Sequence, residues 1–325
     1  MRLILYNRAR LVYNIIRRRC NMSTVFISVL TLFIFLAVGF ALARCGIVKH
    51  EHSGLLSRLL VWVFLPANII KTFGANCTVR YLSDNYPIIL ISLGILSIIL
   101  VLMHFLARCF SRDKVERGIF EYSLIIPNFG YMGYALVGSV FGESALMTTM
   151  MFAIPLSLYT YTVGFCMLSG KKFAPKSLLN PTLVSMVLGI LLGVSGIGAY
   201  MPSVIDGALS SAAACMGPVS MILTGIVISG FGIRMMFTDI RVYAVSLLRL
   251  LAIPLAVGGV LLLSGFEQIV PYAVILYAMP CGLNTVVFVK NAGCDPSLGA
   301  RLALISSALV CFTLPLVSLI MGIVA

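Results

Sequence analysis

The sequence predicts an all-α membrane protein: ten transmembrane helices in two inverted five-helix repeats, with helices 4 and 9 broken. Three observations carry that prediction. Hydrophobic residues make up 61% of the 325-residue chain, charged residues only 10%, and mean hydropathy is +1.09. That balance cannot supply a water-soluble surface. Ten stretches approach the about 20 apolar residues that a bilayer span requires. Prolines at helix centres recur between the halves: Pro66, Pro127 and Pro155 against Pro218, Pro280 and Pro315, at offsets of 152, 153 and 160 residues.

The stretches run 24–43, 55–73, 86–107, 119–140, 145–168, 181–197, 203–229, 242–264, 269–289 and 297–321. Segment 1 is an apolar run, and segment 2 carries Leu65-Pro66-Ala67-Asn68. Segment 3 is long and apolar. Segment 4 is interrupted by Pro127-Asn128-Phe129-Gly130, and segment 5 carries Phe152-Ala153-Ile154-Pro155-Leu156. A short basic linker, Ser169 to Asn180, leads to Asn180-Pro181 at the start of segment 6. Segment 7 repeats the central proline as Pro218, and segment 8 is again apolar. Segment 9 is interrupted by Met279-Pro280-Cys281-Gly282-Leu283-Asn284, and segment 10 echoes segment 5 with Phe312-Thr313-Leu314-Pro315-Leu316. A proline inside a membrane helix removes a backbone hydrogen bond and needs a local reason. Five helices per repeat turn the second copy upside down relative to the first. The predicted division is therefore a basic extension at 1–21, one repeat at 22–170 and its inverted partner at 171–325.

The formal net charge of +13 does not describe a nucleic-acid surface, because the basic residues sit at segment ends and no aromatic platform accompanies them. They read as topology signals. Arg44, Lys49, Arg108, Arg112, Lys114, Arg117, Lys171, Lys172, Lys176, Arg234, Arg241 and Lys290 follow odd-numbered segments, whereas the opposite face carries Lys71 and Arg80. The positive-inside rule makes the first set cytoplasmic and the C-terminus external, in a multi-pass cell (inner) membrane protein. Arg2, Arg8, Arg10, Arg17, Arg18 and Arg19 oppose that orientation, so we expect translation to start at Met22; a basic interfacial helix is the alternative. Nine cysteines form no C-x-x-C pair and read as small apolar residues. His50, His52 and His104 form no ligand pattern, and no cofactor is expected.

Pro127 lies about 12 Å along segment 4 and Pro280 about 16 Å along segment 9, both near the midplane of a 30 Å core. Unwound backbone at that depth must face itself, water or a ligand. The second half of each helix starts at the break with free N–H groups worth roughly half a positive charge, and inversion aims both ends at one point, which suits an anion. Pro127, Asn128, Gly130, Pro280, Cys281, Gly282 and Asn284 are the candidate binding residues, with Asn68 as a third wall; the two amides both donate and accept. Arg58, Glu121, Arg249 and Arg301 fall inside segments near an end, where snorkelling accounts for them. Glu121 is also the candidate proton carrier, although Arg117 four residues earlier favours a permanently ionised pair instead.

At Leu65-Pro66-Ala67-Asn68, Pro127-Asn128-Phe129-Gly130-Tyr131-Met132-Gly133, Asn180-Pro181 and Met279-Pro280-Cys281-Gly282-Leu283-Asn284-Thr285, the chain resembles the auxin efflux carrier family. That group includes plant auxin exporters and bacterial malonate carriers. The resemblance implies segments 4 and 9 crossing at their prolines, both termini outside, and a dimerising scaffold of segments 1, 2, 6 and 7. It also implies a moving bundle of segments 3 to 5 and 8 to 10 that carries a carboxylate by an elevator step. The family's crossover asparagine corresponds to Asn128; Asn284 is displaced from its proline. The short Ser169 to Asn180 linker lacks the long central loop of the plant exporters. The expected function is secondary transport of a small organic anion by a homodimer in the lipid bilayer. A sodium-coupled symporter of related fold, a non-transporting sensor and an intramembrane enzyme are the alternatives; Ser123, Thr285 and Cys281 lack a nearby base in their own segments.

Overall fold

The computed structural model describes residues 22–49, 52–232 and 237–323. The extension at 1–21, His50 and Arg234 lie outside the described residues. The described fold is helical. Its helices are α1 (Met22–Arg44), α2 (Ser53–Asn76), α3 (Val79–Ala107), α4a (Lys114–Ile125), α4b (Phe129–Phe141), α5a (Glu143–Phe152) and α5b (Ile154–Ser169). The second half of the chain forms α6 (Pro181–Val194), α7 (Ser203–Ser229), α8 (Ile240–Leu263), α9a (Val270–Tyr277), α9b (Asn284–Asn291) and α10 (Ser297–Ile320). Among the described residues, α1, α2, α3, α7, α8 and α10 are long and apolar enough to cross a bilayer, and α5a with α5b makes a seventh bent candidate.

Local sequence accounts for the starts and the irregularities. Asp113 caps α4a by accepting from the amides of Val115 and Glu116 at 2.9 and 2.8 Å, and Asn180 caps α6 by accepting from Thr182. Each cap satisfies an N–H group that a helix start leaves open. Wide π-type turns at Leu60–Phe64 and Leu248–Ala252 precede Pro66 and Pro254, whose rings displace the carbonyl four residues back. Pro155 likewise follows the 51° bend between α5a and α5b at Ala153. Helix α3 begins at Val79 rather than Tyr86, because Thr78 accepts from Tyr81 N–H and extends the helix by two turns.

Backbone-to-backbone packing is closest in two helix pairs. A methyl added at Gly39 would enter the backbone of Ile222, and one at Gly225 would enter that of Leu36, which seats α1 directly on α7. On the other pair, Gly193 presses on the carbonyls of Phe73 and Cys77, so α6 lies against α2. Close approach through small residues is how helices associate where lipid removes the hydrophobic drive. Contacts from these four helices to α4b run through side chains instead: an added methyl at Gly217 of α7 would meet Ala135 Cβ at 2.9 Å, and one at Gly130 would meet Leu65 Cδ2 at 3.9 Å.

Candidate functional site

Helix α4a stops at Ile125 because Pro127 has no N–H to give to the carbonyl of Ser123. The next amide, Asn128 N–H, turns away and donates to Pro280 O at 2.8 Å. Pro127 and Cys281 pair there as an antiparallel bridge, so the two interruptions meet back to back. The freed carbonyls find partners from the second half: Cys281 Sγ lies 3.9 Å from Ser123 O, and Arg249 Nη1 donates to Leu124 O at 3.0 Å. Cys281 N–H donates to Ser306 Oγ at 2.9 Å. Breaks of this kind persist at depth only when each backbone group is satisfied.

Both second half-helices begin at this junction. Asn128 O accepts from Met132 and Gly133 to start α4b, and Leu283 O accepts from Val286 and Val287 to start α9b. Their first N–H groups have no intrahelical acceptor and carry the positive ends of two dipoles. A cavity of about 30 Å³ lies between them, lined by Leu65, Pro127, Asn128, Phe129, Gly130, Tyr131, Tyr134, Thr160, Tyr161, Thr182, Gly282, Leu283 and Asn284. Asn128 is 6% exposed and lines this space, and its side-chain amide makes no hydrogen bond to protein among the described residues. Asn284 Nδ2 donates to Tyr122 Oη at 3.0 Å, and Thr182 Oγ1 donates to Tyr161 Oη at 3.1 Å. The volume fits water rather than a ligand of several hundred Å³, so the walls are drawn together in this conformation. A second cavity of about 710 Å³ lies beyond Leu283, with Arg58 and Lys290 in its lining.

Of the residues expected from sequence, Pro127, Asn128, Gly130, Gly282 and Asn284 line the small cavity together. Pro280 and Cys281 do not line it; they build the bridge behind it. Asn68 was expected as a third wall, but its amide donates to Met216 Sδ at 3.6 Å, and Leu65 one turn earlier supplies the α2 wall. The sequence reasoning missed the hydroxyls of Tyr131, Tyr134, Thr160, Tyr161 and Thr182. Tyr131 and Tyr134 follow the Pro-Asn-Phe-Gly break within one turn, a signal that was available; Thr160 and Tyr161 lie five and six residues past Pro155 in the bent segment 5, and Thr182 at the start of segment 6, with no Asn-Gly interruption to mark them.

The ionisable residues also depart from expectation. Glu121 does not pair with Arg117: its Oε1 lies 3.0 Å from His104 Nδ1, and Arg108 Nη2 lies 2.9 Å from His104 Nε2. Arg249 does not snorkel, being 0% exposed behind the crossover. At the basic-loop end, Arg241 joins Glu116 and Asp239, each at 2.9 Å, and Arg301 Nη1 lies 3.7 Å from Asp239. The hydrogen bonds from the Arg241 side chain hold the Asp239 carboxyl below the usual carboxylate range, against the opposing effect of burial.

A helical multi-pass membrane protein whose two broken helices share one polar junction has an arrangement that membrane transporters use. The family described as Membrane transport protein matches residues 24–175 and 165–318, and the chain belongs to it; this is the auxin efflux carrier family. Among curated proteins, an uncharacterized transporter of Methanothermobacter thermautotrophicus is 24% identical over 302 residues, covering 90% of this chain and 97% of its own. An uncharacterized transporter of Methanocaldococcus jannaschii is 24% identical over 210 residues, 62% of this chain and 68% of its own.

Proposed function

We propose that this protein is a secondary carrier of a small organic carboxylate, binding it between Asn128 and Asn284 and exposing it to one face of the membrane and then the other. The observation that carries the reading is the junction itself: two helix starts and a buried, unpartnered amide converge on one cavity. Carriage rather than chemical conversion fits a site of amides and hydroxyls, because none of its lining residues is acidic or basic.

Ten transmembrane helices in inverted repeats, 22–170 and 171–325, account for the recurring prolines and for two half-helices aimed at one point. The glycine-packed helices α1, α2, α6 and α7 form the scaffold, and the rest moves as an elevator. Side-chain contacts at Ala135 and Leu65 permit the sliding that interlocked backbones would forbid. The scaffold pairs with a second copy, the protein sits in the cell membrane, and the C-terminus is outside. The substrate class spans malonate-like dicarboxylates and indole-type acids, the two ends of the family.

Uptake into proteoliposomes across a panel of labelled monocarboxylates and dicarboxylates tests this, with and without Asn128→Ala and in sodium-free buffer. At least one carboxylate is expected to accumulate, with a loss of tenfold or more in the variant. No uptake of any carboxylate refutes the reading, and uptake that requires sodium replaces it with the symporter.

A further inference from the structure

Arg249 is a complete guanidinium inside the helical body, with nothing acidic against it. It is 0% exposed, its Nη1 donates to the Leu124 carbonyl that Asn128 N–H leaves free, and its Cζ lies over the Tyr277 ring, 5.5 Å from the centroid. Its Nε and Nη2 have no hydrogen-bond partner, and no ion pair reaches it among the described residues. By count, residues 79–169 and 239–320 of the proposed moving bundle carry nine Lys or Arg against eight Asp or Glu, a surplus of one positive charge; Arg241 and Arg301 stand against Asp239 and Glu116, and Arg108 with His104 stands against Glu121. An arginine stays protonated in proteins, and a buried charge without a partner is costly enough that membrane proteins keep it for function.

We infer that Arg249 is the fixed counter-charge of the transported anion, so that the bundle crosses electrically neutral when it holds one negative charge and positive when it is empty. This rests on the carrier reading above and narrows its substrate to species bound as monoanions. Leu124 precedes Asn128 by four residues across the break, a separation of at most about 14 Å even for fully extended chain, which keeps the guanidinium on the order of 10 Å from the cavity. At that distance and an effective dielectric of ~20, a unit charge is worth roughly tenfold in affinity for an anion. The placement also explains why the positive group can remain outside the cavity: it acts through field, leaving amides and hydroxyls to make the contacts.

Proteoliposomes holding the labelled carboxylate that wild type carries fastest are compared for wild type, Arg249→Gln and Arg249→Lys, under loaded exchange. A potassium gradient with valinomycin sets the voltage. Glutamine keeps a donor for Leu124 O and removes only the charge. For wild type and Arg249→Lys, monoanion exchange is expected to be insensitive to voltage. Arg249→Gln is expected to raise KM about tenfold and to make exchange voltage-dependent, since one uncompensated charge crossing 100 mV is worth roughly fiftyfold in an equilibrium. Arg249→Gln with the KM and voltage response of wild type overturns the inference, because a purely structural cap predicts that result. Should Arg249→Gln fail to fold, wild-type monoanion exchange decides alone: voltage dependence there overturns it, and independence supports it. Absence of carboxylate exchange in wild type removes the carrier reading itself, a distinct outcome.

Discussion

Ser306→Ala probes whether the bridge between the breaks is held by a specific hydrogen bond. Ser306 is 0% exposed, its Oγ accepts the Cys281 amide at 2.9 Å, and Cys281 is 1% exposed. Alanine removes the acceptor of that buried amide, and the carbonyl next to it, Pro280 O, already accepts from Asn128 N–H. A buried backbone donor left unmade costs about 1–3 kcal/mol, and the missing hydroxyl leaves too small a void to admit water. At about 2 °C per kcal/mol for a chain of this length, thermal unfolding in detergent should fall by roughly 2–6 °C. The same helix supplies the control. Ser318 is also 0% exposed, but its hydroxyl has no partner, so Ser318→Ala removes an unsatisfied group and should be neutral or slightly stabilising. Differential scanning fluorimetry of the purified variants reads both shifts. Equal shifts for the two serines would refute the reasoning, since helix, burial and the lost atom are shared, and the two differ in the Cys281 amide that Ser306 accepts and in the hydrogen bond Ser306 donates back to Leu302 O.

Gly225→Ala forces a methyl into the Leu36 and Phe40 backbone, so α1 and α7 must separate; a destabilisation of about 1–3 kcal/mol should appear as a lower melting temperature, while Gly207→Ala, whose added methyl meets nothing within 4 Å, should not. Asp239 is held below its ordinary titration range by Arg241, so its contribution is fully present above the unfolded carboxylate value of about 4 and is lost as pH falls through the lower folded value. Melting followed from pH 8 to pH 3 should therefore show no pH dependence from this group between pH 5.5 and 8, where its stabilisation is complete, and a smaller acid-side fall in Asp239→Asn than in wild type.

The breaks were legible because proline closely followed by both asparagine and glycine acts through the chain itself; proline alone does not suffice, since Pro218 and Pro315 lie inside the continuous helices α7 and α10. For the same reason the broken helices α4 and α9 stand where Pro127 and Pro280 predict, and Asn128 and Asn284 are brought to one cavity. Side-chain direction was not legible. Asn68 is within a turn of the cavity, but the wide turn at Leu60–Phe64 adds a residue to the helix ahead of it and shifts the rotational phase of the residues beyond, putting Leu65 on the cavity and Asn68 on Met216. Arg249 obeys the same logic: its place near a segment end suggested snorkelling, while the turn at Leu248–Ala252 coincides with a guanidinium directed inward onto Leu124. Glu121 was matched to Arg117 on its own helix, and the partner came instead from α3, through an interhelical contact that spacing within one segment does not contain.

The two prolines matter more as a pair than as two kinks. A single break in a membrane helix leaves carbonyls at the end of its first half and amides at the start of its second, and both need partners that lipid does not offer. Placed back to back, each break satisfies part of the other: Pro280 O receives the Asn128 amide, Ser123 O faces the Cys281 thiol, and Leu124 O receives Arg249. Carbonyls are thereby consumed from within, whereas the leading N–H groups of α4b and α9b have no intrahelical acceptor, and Asn128 with the hydroxyl-bearing Tyr131, Tyr134 and Thr160 lines the cavity. The surplus is of donors, and a site with spare donors and two positive helix ends selects a solute that brings acceptors and negative charge. That asymmetry follows from the proline positions, and it is why a lining without a lysine or arginine of its own can still prefer a carboxylate.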